Sequence, residues 1–136
     1  MKRILIAAAA ASAAAVFAGQ AAASSTVTVT IRHQTVGCHA WAIGTGAYKA
    51  TQALTVKAGA ALRFVDNDVM PHQIVEVAGR KLALHGSHLT KMGANMTIKL
   101  LKPGTYVFGT KAGEDYTKGI VTKGEDNVLR LVVTVK

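Results

Sequence analysis

The sequence predicts an all-β domain built as an antiparallel sandwich or barrel, and three observations carry that prediction. Short runs rich in β-branched and aromatic residues recur along the chain, several of them alternating apolar and polar residues with a period of two. Glycine-containing turn signals separate the runs. No long stretch after the N-terminal segment keeps a helical period, and regularly spaced strands without one argue for packed sheets.

Taken in order, the first strand is Ser25-Thr-Val-Thr-Val-Thr-Ile-Arg32, whose strict alternation marks a half-buried strand. A His-rich run from His33 to Trp41 reads as the loop that leaves it. Further strands are expected over residues 53–57, 61–65, 73–77, 80–84, 96–101, 105–108, 118–122 and 128–135. Ala58-Gly59, Ala78-Gly79, Lys102-Pro-Gly104, Ala112-Gly113 and Lys123-Gly124 supply the turns. Residues 87–95 hold the weakest pattern and are read as room for a helical turn.

The N-terminus has the three parts of a secretory signal peptide. Met1-Lys2-Arg3 is positive, residues 4–18 are apolar and alanine-rich, and Gln20-Ala-Ala-Ala23 ends on small residues. Cleavage near Ala23 assigns residues 1–23 to the signal peptide and residues 24–136 to one domain, exported to the periplasm or secreted, with no membrane span in the mature chain. The mature chain would hold 136 less 23, or 113 residues, enough for one core. Its formal charge would be +9 less the two charges of Lys2 and Arg3, or +7. The cations are scattered among few aromatics, which gives no nucleic-acid footprint. Such a field suits encounter with an acidic redox partner protein, and the mature chain is taken as a monomer.

Chemistry concentrates in two segments. One is His33-Gln-Thr-Val-Gly-Cys38-His39-Ala-Trp41, and the other is Asp66-Asn-Asp-Val-Met-Pro-His72. Cys38 is the chain's one cysteine and cannot form an internal disulfide. A thiolate with several imidazoles suits a soft metal, copper above all, and a bound ion would keep that thiol from stray exchange.

From this point the chain resembles the cupredoxin family. Leu54-Thr-Val-Lys-Ala-Gly59 with Leu62-Arg-Phe-Val-Asp-Asn-Asp68 is similar to the strand, turn and strand leading to that family's copper site. Asp66-Asn-Asp-Val-Met-Pro-His72-Gln-Ile-Val matches the segment that gives the first histidine ligand, and Lys102-Pro-Gly-Thr-Tyr-Val-Phe108 resembles the strand entering the second ligand loop. The resemblance spans residues 53–136 and implies a Greek-key β-sandwich holding one copper ion for electron transfer.

The departure is as informative. Where the family continues into Cys, His and Met, this chain places Thr110, Glu114 and Ile120, which excludes the standard blue-copper set. The sulfur is expected instead from the first loop, with Cys38 and His72 as the leading metal ligands, then His39, then His33. Adjacent residues of an extended strand face opposite ways, so Cys38 and His39 can share an ion only if the chain turns, which Gly37 permits. Met70 and Glu114 compete for an axial position. His85 and His88, with Met92 and Met96, form a separate group readable as a copper-loading patch or as a polar loop over core methionines.

No nucleophile elbow, phosphate loop or zincin motif is present, and the expectation is not an enzyme. Three functions stay open: electron transfer, copper storage, delivery or tolerance with the same ligands, and a metal-free binding module.

Overall fold

The computed structural model describes residues 24–114 and 118–136; the expected signal peptide, residues 1–23, lies outside them, as does Asp115. Nine strands follow in chain order: β1 Thr26–Gln34, β2 Cys38–Ile43, β3 Thr51–Val56, β4 Ala60–Asn67, β5 His72–Gly79, β6 His88–Leu89, β7 Asn95–Leu100, β8 Gly104–Ala112 and β9 Arg130–Val135. One sheet has the order β2-β1-β4-β7 and the other β3-β9-β8-β5-β6. The expected all-β sandwich is therefore present. Its pairing is mixed: β1 runs parallel to β4 and β3 parallel to β9, while the remaining pairs are antiparallel. The chain changes sheets between β2 and β3 and again between β3 and β4, so β4 returns beside β1 in the same direction.

Period-two patterning explains the core. Met96, Ile98 and Leu100 on β7 and Leu131, Val133 and Val135 on β9 are buried, and the residues between them are more exposed. Val29, Ile31, Leu62 and Phe64 from one sheet meet Ile74, Tyr106 and Phe108 from the other. Phe64 and Phe108 pack edge to face across the sheets, ring centroids 5.5 Å apart, and Trp41 lies 6.5 Å from Phe64. The polar tips of the large rings are satisfied: Trp41 Nε1 donates to the Ala50 carbonyl at 3.0 Å and the Tyr106 hydroxyl to the Lys102 carbonyl at 2.8 Å.

Four segments differ from expectation. Cys38–Ile43 is a strand and not a loop; it is buried on both faces from Cys38 to Ala42, which erases the alternation by which a strand is recognised. Residues 80–84 are not a strand, because the Leu82 amide donates to the Glu76 carboxylate at 2.5 Å instead of to a ladder. Residues 118–122 are not one either: Gly119 has φ +84°, and Lys123 is tied by its backbone to Thr35 and Gly37. Residues 87–95 hold the short edge strand β6 on β5 and no helix. Among the described residues no helix is long and apolar enough to cross a membrane.

The register decides which ends meet. Gln34 pairs with Cys38, Arg32 with Asn67 and His72 with Ala112. The β1–β2 turn, the β4–β5 connection and the exit from β8 therefore share one pole of the sandwich.

Candidate metal centre

The turn from β1 into β2 is built from two consecutive left-handed residues, Gly37 at φ +76° and Cys38 at φ +62°. Among the described residues Cys38 alone adopts a positive φ without being glycine, a conformation that costs on the order of 1 kcal/mol or more and persists where surrounding contacts enforce it. Cys38 and His39 are both buried, as is the rest of β2 to Ala42.

Each of the two neighbours meets a partner, Met70 in the β4–β5 connection and His72 at the start of β5. The Cys38 thiol donates to the Met70 thioether, Sγ to Sδ 3.0 Å, among Val69 and Ile120. The His39 ring stands edge-on to the His72 ring, centroids 5.1 Å apart at 87°. The thiol thus reaches Met70 and the imidazole reaches His72, two residues apart in the chain. His33 is not brought into the ring pair; it pairs with His39 on the strand ladder and its Nδ1 lies 3.9 Å from Asp68 Oδ1. Of the competing axial residues, Met70 is buried at the site and Glu114 is exposed. Thr110 continues β8 opposite Ile74, and Ile120 packs on the sulfur pair.

Two residues that sequence reasoning passed over hold the imidazoles. Asp68 is fully buried; its Oδ1 accepts from the amides of Val69 at 2.6 Å and Met70 at 3.2 Å, and its Oδ2 accepts from His72 Nε2 at 3.0 Å. Asn127 clamps the other ring: its carbonyl accepts from His39 Nε2 at 2.8 Å, its side-chain amide donates to the His39 carbonyl at 2.7 Å, and its backbone amide donates to the Gly37 carbonyl at 2.9 Å. A carbonyl can only accept, so His39 carries its proton on Nε2. Both Nδ1 atoms, of His39 and His72, are buried without a hydrogen-bond partner.

Electrostatics keep these donors available. Burial, aided by the neighbouring His72, pushes the pKa of His39 down, which favours a neutral ring with a free lone pair. Burial would raise Asp68, but the hydrogen bond and charge of His72 and the Val69 and Met70 amides outweigh it and hold the carboxyl below its usual range. Asp66 is pushed up to about 6, first by burial, although its Oδ1 accepts from the Asp68 amide at 3.0 Å.

The raised Asp66 has a measurable consequence. Its folded pKa lies above the unfolded value of 3.8, so its contribution to stability is fully present below about 3.8 and is lost as pH rises through about 6. Between pH 7 and pH 5 the metal-free protein is expected to gain on the order of 1 kcal/mol relative to Asp66→Asn. Urea midpoints of the two proteins at both pH values check this; a difference that stays constant contradicts it.

The donor set fits a soft transition metal. Two imidazoles together with a thiol and a thioether would match copper better than zinc, for which a thioether is a poor ligand, or than hard cations. His39, Asp68 and His72 also bring one ligand atom each within 4.8 Å of one another, a harder nitrogen and oxygen set. Within that group His72 Nε2 already bonds Asp68 Oδ2 at 3.0 Å. A cleft of about 240 Å³, lined in part by Pro71, His72, His88 and Lys111, opens beside the centre. His88 thus stands near the site on β6, Met92 is exposed and Met96 belongs to the core.

The molecule is an all-β sandwich with nitrogen and sulfur donors gathered at one pole. No protein-family model matches the chain, and no curated protein does. Among solved structures it is similar to a novel purple cupredoxin from Nitrosopumilus maritimus, at 16% identity over 80% of this chain and 98% of that one, with a TM-score of 0.46. It is also similar to amicyanin in the reduced state of a mutant, at 18% identity over 84% and 83% with a TM-score of 0.46, and to a mutant plastocyanin of fern, at 18% over 79% and 99% with a TM-score of 0.39.

Proposed function

We propose that residues 24–136 form an exported, cupredoxin-like electron carrier in which Cys38, His39 and His72 hold one copper ion and Met70 adds a fourth, weaker donor. The observation that carries this reading is the pair of buried imidazoles, each tied through Nε2 and each with an unpartnered Nδ1, next to a buried thiol and thioether. Leaving a buried acceptor unsatisfied costs about 1–3 kcal/mol, and two such atoms on rings whose centroids are 5.1 Å apart make sense as ligands awaiting an ion.

Copper would supply a one-electron couple. The protein's part is to hold its donors still and dry: Asn127 and Asp68 fix the two rings, the β1–β2 turn fixes Cys38, and Val69 and Ile120 exclude water from the sulfurs. Fixed ligands lower the rearrangement that accompanies a change of metal charge. Scattered positive charge would speed encounter with an acidic redox partner, and Pro71 and His72 lining the open cleft give such a partner a short route to the ring. His33 sits outside the ring pair, beside Asp68, and is assigned no place among the ligands. The sulfur pair also suits Cu(I), which gives storage or delivery as a second reading.

Titration of the purified protein with Cu(II), followed by visible absorption and electron paramagnetic resonance, tests the site. One equivalent should produce an intense sulfur-to-copper band, and voltammetry should then give a reversible wave. A colourless protein whose thermal midpoint ignores copper refutes the copper site. A coloured protein with sluggish, irreversible exchange selects storage over electron transfer.

A further inference from the structure

Asp68 was invisible as a functional residue in the sequence, yet its carboxylate is among the most constrained groups in the molecule. It sits four residues before His72, fully buried, with its two oxygens divided between two tasks. Oδ1 accepts the amides of Val69 and Met70, which orders the Asp-Val-Met-Pro-His connection, and Oδ2 faces His72 Nε2 at 3.0 Å. An ionised carboxylate accepts only, so the ring nitrogen facing it must carry the proton. The neutral ring then has one lone pair left, on Nδ1, which is buried and has no other partner.

We propose that Asp68 is a positioning residue that sets the tautomer of His72, holding it as the Nε2–H form so that Nδ1 is the nitrogen offered to a metal. Asparagine at this position is nearly isosteric and separates the two tasks. The Val69 and Met70 amides require an acceptor, so the Asn oxygen must take the place of Oδ1. Its NH2 group is then forced to the place of Oδ2, opposite His72 Nε2. Turning the amide the other way would set a donor against two donors. A donor opposite Nε2 favours a lone pair there, and the proton moves to Nδ1, where it blocks ligation. Loss of an outer partner of a metal-binding histidine typically costs about 10–100-fold in affinity, and a switched tautomer places Asp68→Asn within or above that range.

The proposal rests on the copper reading only for its affinity arm. Imidazole nitrogen signals of the metal-free protein, followed by 15N NMR with rising pH until they stop changing, read the tautomer of the neutral ring directly. The expected result is an Nε2–H ring at His72 that becomes Nδ1–H in Asp68→Asn, with His39 unchanged in both because Asn127 holds it independently. Copper affinity should fall at least about 10-fold in the same variant. A His72 ring that keeps Nε2–H in the variant, or carries Nδ1–H in the wild type, overturns the assignment. Should the variant fail to fold, the wild-type nitrogen pattern alone decides between these outcomes. If the wild type takes up no copper, the metal reading falls, while the nitrogen signals still decide the role of Asp68.

Discussion

Cys38→Ser is expected to abolish the intense visible band of the copper-loaded protein and to weaken copper binding by more than the roughly 10–100-fold loss typical of an outer-shell change. Serine keeps the shape of the side chain, so the left-handed turn at φ +62° is no more strained than before. What changes is the donor: a hydroxyl stays protonated near neutral pH and is hard where the thiolate is soft. The cost to the metal-free fold should be modest, about 1–2 kcal/mol, because the new hydroxyl is buried among Val69, Met70 and Ile120. Cys38→Ala provides the comparison, losing the donor without adding a polar group. Met70→Leu should behave differently, keeping colour while shifting the reduction potential and the resonance spectrum, as expected of a weak fourth donor. Absorption titrations and a chelator competition for Cu(I) read all three variants. A band that survives in Cys38→Ser would remove the thiolate from the site and favour the harder His39, Asp68 and His72 set, the donor group found among the described residues.

Why this site could be half read from sequence follows from how each residue announces itself. Cys38 is the one thiol in the chain, and His72 follows a proline in a short acidic segment; both are local signals. The strand pattern was equally local where one face is buried, as on β7 and β9. It failed on β2, whose five buried residues carry no period and look like a loop. The choice between Met70 and Glu114 needed the β1–β2 turn, since only the fold shows which of them meets the thiol. Asn127 was illegible for a stronger reason. It lies 88 residues from His39 in the chain, in a Glu-Asp-Asn stretch that reads as a solvent loop, and it acts through its backbone as much as through its side chain. Asp68 stood in a quoted motif, but nothing in the order of residues shows that a carboxylate turns back onto a ring four positions later.

Trp41→Ala is expected to cost about 3–5 kcal/mol of folding stability, the range for removing a large buried aromatic. Trp41 is the largest fully buried side chain and packs toward Phe64, which in turn meets Phe108 of the opposite sheet. The loss opens a cavity where the two sheets touch, and surrounding rings fixed on their own strands can fill it only in part. Trp41→Phe separates packing from hydrogen bonding. It keeps an aromatic ring and gives up only the bond from Nε1 to the Ala50 carbonyl, which retains the Arg130 amide as a donor at 2.9 Å. That variant should lose nearer 1 kcal/mol plus a smaller packing term. Urea unfolding of the metal-free proteins measures both; equal losses would mean that the indole bond, not the ring, holds β2 in place. The same strand carries His39 two residues earlier, so loosening it spreads to the ligand turn, and copper should restore part of the lost stability because only the folded site binds it. A Trp41→Ala protein that binds copper as tightly as the wild type would show that Asn127 and the Gly37–Cys38 turn are sufficient to position His39, leaving Trp41 responsible for the core alone.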